Sequence, residues 1–145
     1  MDIAFTPALA SDADALADLR VEAMRESLER VGRFDPVRAR ARFLDGFAPE
    51  RTRWIVAGRE RVGFFVLVPQ EDGLLLQHLY VRPSAQGRGI GAAVLQAVFA
   101  EADARQCGLR VGALRESDSN RFYLRHGFRL ERQEEFDNHY VRHVA

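Results

Sequence analysis

Leu74-Leu75-Leu76-Gln77-His78-Leu79-Tyr80-Val81-Arg82-Pro83-Ser84-Ala85-Gln86-Gly87-Arg88-Gly89-Ile90-Gly91-Ala92 is the most informative run of this 145-residue chain. Leu74 to Val81 has the apolar and aromatic content of a strand, and Pro83 ends it. Gly87, Gly89 and Gly91 then crowd together where Ile90, Val94, Leu95, Val98, Phe99 and Ala102 begin to recur with helical period. The run therefore reads as strand, glycine-rich turn, helix. Glycine lets backbone N–H groups approach a ligand and adopt positive φ. The first turn of a helix adds N–H groups without intrahelical partners and a positive dipole end. Such a junction suits a pyrophosphate, and Arg88 can add charge-assisted bonds to its oxygens. A dinucleotide fingerprint needs G-x-G-x-x-G, a spacing that Gly87-Arg88-Gly89-Ile90-Gly91 lacks. A P-loop needs a lysine, and the chain has none. A tight turn without any ligand remains the plain alternative.

Outward from this run, residues 3–6 predict a strand and a helix starts near Ser11. Ser11 with Asp14 three residues on resembles a capping box, and Leu16, Leu19, Ala23 and Met24 give an apolar face. Pro36 suits the first turn of a second helix reaching about Phe47. Trp54 to Ala57 and Val62 to Val68 read as strands around the turn Gly58-Arg59-Glu60-Arg61. The turn Gln70-Glu71-Asp72-Gly73 leads into the strand Leu74 to Val81. The helix over 89–106 is closed by Gly108. Leu109 to Leu114 is a strand, Ser119 to His126 a short helix ended by Gly127, and strands follow near 128–133 and 136–144. The order β-α-α-β-β-β-α-β-α-β-β is an α/β (α+β) layout with a mixed sheet of about seven strands and four helices. No repeat, linker or low-complexity stretch divides it, so 1–145 is expected to form a single domain.

The 21 basic and 21 acidic residues cancel, and no basic block points to an extended nucleic-acid surface. All 21 basic residues are arginine, a composition that GC-rich coding explains. The apolar runs are too short to span a bilayer, and the N-terminus lacks the features of a signal peptide. One cysteine, Cys107, rules out an internal disulfide framework and fits a reducing compartment. These features predict a cytoplasmic enzyme with no membrane partner. His139 and His143 would lie ~13 Å apart along a strand, so they do not predict a zinc site.

Leu79 to Gly91 resembles motif A of the GNAT superfamily of N-acetyltransferases, whose signature is [QR]-x-x-G-x-[GA]; here it is met by Gln86, Gly89 and Gly91. Downstream, Asn120-Arg121-Phe122-Tyr123-Leu124-Arg125-His126-Gly127-Phe128 is similar to motif B, an Asn and Tyr followed by Gly-Phe. The order of elements matches this family along nearly the whole chain, which implies its mostly antiparallel central sheet flanked by helices. The resemblance implies transfer of an acetyl group from acetyl-CoA directly to the primary amine of a small molecule or peptide, without a metal. A non-catalytic acyl-CoA-binding module on the same fold is the rival reading. Homodimers are common among such relatives.

Residue by residue, the resemblance assigns the pyrophosphate to Gln86, Gly87, Arg88, Gly89, Ile90, Gly91 and Ala92. It assigns the pantetheine arm to the backbone of Leu79, Tyr80 and Val81, with the Val81 N–H facing the thioester oxygen. Asn120 matches a pantetheine-binding residue, or it is a helix N-cap. Tyr123, one helical turn on, matches the acid that protonates the CoA thiolate, or it is a core tyrosine. No carboxylate lies between Leu74 and Val81, where many relatives carry the base. His78 is the candidate there, against a packed histidine; a water relay, Glu22 and the 135–139 segment stay open. Glu22, Met24, Arg25, Glu26, Phe34, Asp137, His139 and Tyr140 are acceptor-pocket candidates by position.

Overall fold

A computed structural model describes residues 2–144. The strands are β1 (Ile3–Pro7), β2 (Thr52–Ala57), β3 (Glu60–Gln70), β4 (Gly73–Val81), β5 (Gly108–Leu114), β6 (Arg129–Gln133) and β7 (Asp137–Arg142). The helices are α1 (Ala13–Arg30), α2 (Pro36–Asp45), α3 (Ile90–Ala104) and α4 (Ser119–Arg125). The strands form one sheet in the order β1-β2-β3-β4-β5-β7-β6. β1 with β2, β2 with β3, β5 with β7 and β6 with β7 pair antiparallel. β4 and β5 are parallel, in register from Gly73↔Gly108 to Leu76↔Val111, as the intervening helix α3 allows. The mixed, mostly antiparallel sheet of seven strands with four helices agrees with the sequence reading.

The chain divides into two compact units. The first holds residues 1–66 and 78–91, and the second holds 67–77 and 92–145. In the first, Leu16 and Leu19 of α1, Phe43 of α2, Trp54, Ile55, Phe64 and Phe65 are withdrawn from water. Each such side chain contributes about 1.5–3 kcal/mol by burial. In the second, Leu74, Leu76, Val94, Leu95, Val98, Leu109, Val111, Phe128 and Tyr140 do the same.

The start of α1 differs from expectation. Ser11 lies inside a 3-10 turn (Ala10–Asp12), and Asp12 ties the junction. Its carboxylate accepts from the Leu9 N–H (2.8 Å), the Trp54 indole N–H (3.0 Å) and Arg61 (3.3 Å). These donors favour the ionised form, and the carboxyl lies below its ordinary range, the Leu9 N–H first among the causes. Asp12 is the residue before α1, but its carboxylate is taken by these donors and bonds no N–H of the helix. At α2, Asp35 is the N-cap, accepting from Arg38 N at 3.1 Å, with Pro36 in the first turn. α2 ends at Asp45, short of Phe47.

Candidate functional site

In the first unit, β4 runs into the glycine-rich loop through a 3-10 turn at Pro83–Ala85. Arg82 anchors the turn: its N–H donates to Val62 O (2.7 Å), its Nε to Arg61 O (3.1 Å) and its Nη1 to Glu22 (2.9 Å). The Gln86 side-chain amide reaches back to donate to Val81 O at 3.0 Å, so the loop is fastened to the strand end. Gly87 and Gly89 then adopt φ of +79° and +77°, left-handed values that glycine takes without strain. A Cβ at either would meet nothing within 4 Å, so the space above the loop is open. The exposed Arg88 side chain, between the two glycines, makes no hydrogen bond, ion pair or ring contact among the described residues. Left-handed glycines, a free cation and the first turn of α3 match what an anionic phosphate needs. The loop residues thus fit the pyrophosphate expected from the sequence. Ile90 is buried under it and Ala92 is half-buried in the first turn of α3.

Strand alternation puts His78 and Tyr80 on one face of β4. On that face His78 packs against Phe43 of α2 (5.7 Å between ring centres) and Tyr80 against Phe64 of β3 (5.5 Å). His78 Nδ1 lies 3.2 Å from the Tyr80 hydroxyl, which accepts from Nε of Arg20 at 3.3 Å. Arg20 Nη1 donates to the Ala39 carbonyl of α2. Burial, with the Arg20 charge second, pushes His78 down to about 4. His78 is therefore neutral at neutral pH, and a nitrogen of that pKa is a weak acceptor for an ammonium proton. The β4 backbone is pressed onto β3 at this point. A Cβ on Gly63 would stand 2.2 Å from Tyr80 O, so the position excludes any side chain. Leu79 and Val81, on the opposite face, are half-buried.

In the second unit, Asn120 is not the N-cap of α4; Asp118 holds that position. The Asn120 amide N–H groups face the carbonyls of Leu114 (2.8 Å), Ser117 (2.8 Å) and Arg115 (3.2 Å). Its oxygen accepts from the Tyr140 hydroxyl (2.7 Å) and the Asn138 amide (2.9 Å). Two donors and two lone pairs are the full capacity of an asparagine amide, and all are engaged. Asn120 therefore locks the turn between β5 and α4 onto β7. Tyr123, one helical turn on, is 5% exposed, its ring against Phe122, Phe128 and Tyr140.

Of the other residues singled out by position, Arg25, Phe34, Glu26, Glu22 and His139 are engaged with neighbours. Arg25 pairs with Glu29 and stacks on Phe34, Glu26 pairs with Arg30, Glu22 holds Arg82, and His139 contacts Glu134 at 2.6 Å. Among the described residues no group of three or more His, Cys, Asp or Glu side chains could hold a metal, and no helix is long and apolar enough to cross a membrane. Sequence reasoning passed over Arg20. Its signal was its place in the apolar stripe Leu16, Leu19, Arg20, Ala23, where an arginine must turn inward.

The profile of the acetyltransferase (GNAT) domain matches residues 50–130. The chain belongs to the GNAT acetyltransferase family. Its fold is similar to that of PaiA N-acetyltransferase from Thermoplasma acidophilum, solved in complex with coenzyme A. That structure shares 16% identity and a TM-score of 0.81 over 99% of both chains. An acetyltransferase from Thermus thermophilus gives 21% identity and a TM-score of 0.79, covering 99% of this chain and 98% of that one. A GNAT family acetyltransferase from Elizabethkingia anophelis with acetyl-CoA bound gives 19% and 0.69 over 98% of each. No curated protein matches the chain.

Proposed function

We propose that the chain is an acetyl-CoA-dependent N-acyltransferase that passes the acetyl group directly to a primary amine. The observation that carries this reading is the open loop at Gly87 and Gly89, left-handed at both glycines and carrying the unpaired Arg88, at the start of α3 in a GNAT chain. When bound, acetyl-CoA supplies the activated acetyl carbonyl. We assign its pyrophosphate to the backbone N–H groups of Gln86 to Ala92 and its pantetheine arm to the backbone of Leu79, Tyr80 and Val81. The Val81 N–H is the donor assigned to the thioester oxygen as negative charge gathers there. Tyr123 is the assigned proton donor to the departing thiolate, since a phenol can protonate a thiolate of comparable basicity.

Two sequence assignments change in role. Asn120, with its amide fully engaged, serves as a positioning residue for the turn that carries Tyr123. His78, held near 4, serves as hydrogen-bond partner to Tyr80, and the amine proton passes to water. The test is CoA release from acetyl-CoA with a panel of primary amines, run beside acetyl-CoA binding by calorimetry. Turnover that falls roughly 100-fold in Tyr123→Phe with binding retained supports the reading. Binding without turnover on any amine would leave a CoA-binding module instead.

A further inference from the structure

Arg20 differs from Arg40, Arg110 and Arg142, which are half-buried as it is. Arg110 faces Asp72 and Glu131, Arg142 faces Asp103, and Arg40 faces Asp14 and Asp18. Arg20 has only neutral partners: the Tyr80 hydroxyl at Nε and the Ala39 carbonyl at Nη1. Among the described residues no carboxylate pairs with it and its Nη2 has no partner. Withdrawing a guanidinium from water is costly unless an anion compensates it, and neutral acceptors leave its full charge in place. That charge is felt next door, where it helps hold His78 neutral. The pair His78 and Tyr80, to which Arg20 is bound, lies on β4 just before Val81, the residue assigned to the thioester.

We propose that the acyl acceptor carries a carboxylate, which binds the free Nη2 edge of Arg20 beside Tyr80 and His78. The proposal rests on the N-acyltransferase reading and narrows its substrate class to amines that also bear an acid. Charge-assisted N–H···O bonds to a carboxylate are the strongest this fork can make, and a lysine in its place could not hold both neutral partners and the ligand. An amine lacking the acid would leave the arginine's charge uncompensated on binding, which is how a buried polar group discriminates between analogues. Arg25, the arginine among the acceptor-pocket candidates, is instead paired with Glu29 and exposed.

The experiment compares glycine with methylamine, β-alanine with ethylamine and phenylalanine with phenethylamine. CoA release and acetyl-CoA affinity are measured for the wild type, Arg20→Lys and Arg20→Gln. In parallel, the Arg20 Nε–H resonance, assigned by its loss in Arg20→Lys, is followed by NMR as each compound is added. The expected result is a preference of about tenfold or more in kcat/KM for at least one acid over its partner. That preference should collapse through KM in both variants, with acetyl-CoA affinity unchanged, and the acid alone should shift the Nε–H resonance. Turnover without an acid preference, a preference that survives Arg20→Gln, or a loss of acetyl-CoA affinity in the variants would each overturn it. The last would assign the cation to the donor's phosphates. A resonance shift with no turnover on any amine would sink the N-acyltransferase reading and leave the carboxylate site standing; neither signal would remove both.

Discussion

The Tyr80 carbonyl oxygen of β4 sits where a side chain on Gly63 of β3 would begin, 2.2 Å from the position of a Cβ. Two backbones meet there without a side chain between them. The contact sets the position of Tyr80 and, through its hydroxyl, of His78 and Arg20. Gly63→Ala must push the strands apart, at a cost of about 1–3 kcal/mol. In a chain of this length that lowers Tm by roughly 2–4 °C per kcal/mol. Gly112→Ala is the control, because its nearest neighbour, His139 Nδ1, stays at 3.7 Å; its effect should lie within about 0.5 kcal/mol. Urea unfolding of both variants checks the difference.

Gly87→Ala and Gly89→Ala separate conformation from crowding. Open space surrounds both positions, so an added methyl strikes nothing. The left-handed backbone alone costs an L-residue about 1–2 kcal/mol. The loop should relax away from its present φ, and acetyl-CoA affinity should fall about tenfold. Gly87→Asn should recover part of it, since asparagine tolerates left-handed φ better than alanine does. Calorimetric titration with acetyl-CoA reads both effects.

Asn120→Ala should be among the more damaging single changes in the second unit. It leaves the Tyr140 hydroxyl and the Asn138 amide without the oxygen they share, and takes one donor from the Leu114, Ser117 and Arg115 carbonyls. A cost of about 2–4 kcal/mol is expected, since each buried group left unsatisfied costs roughly 1–3. Tyr140→Phe removes one bond and should cost about 1 kcal/mol. Because the two residues share that bond, their double mutant should fall short of additivity by about 0.5 kcal/mol or more, which a denaturation cycle measures.

His78 should make stability depend on pH. Its folded pKa, about 4, lies below the ordinary 6.5, so the unfolded chain binds a proton that the folded chain refuses. Above pH 6.5 both states are neutral and this group adds no slope. From 6.5 down to about 4 stability falls, by up to ~3 kcal/mol in all, and below 4 the slope vanishes. His78→Phe should flatten this window when urea midpoints at pH 7 and pH 4.5 are compared. By the same reasoning, kcat/KM should show no titration near 6.5 attributable to His78; one that disappears in His78→Gln would restore His78 as the base.

The strands, the helices and the glycine-rich loop were legible because each rests on local chemistry: period, turn residues and backbone freedom. What failed to show in the sequence depends on partners far along the chain. Asp12, not Ser11, precedes α1, and its carboxylate is held by Trp54 and Arg61 from far along the chain. Asn120 looks like a ligand-binding or capping residue until Asn138 and Tyr140 of β7 occupy its oxygen. Arg20 is one arginine among 21 until α2 and β4 close around it. His78 was found as the candidate base, yet its basicity is set by burial and by the charge of Arg20, which no spacing rule connects to it.

The Gln86 amide bonded to Val81 O gives the first position of the motif that this loop resembles a meaning that its alphabet hides. The signature admits glutamine or arginine, a neutral residue or a cation, which makes little sense if the position reads phosphate charge. It makes sense if the position is a latch. Both side chains end in N–H groups long enough to reach back to the strand's last carbonyl, and neither a carboxylate nor a short amide can do so. What Gln86 supplies here is reach and donation, with charge left to Arg88, two residues on.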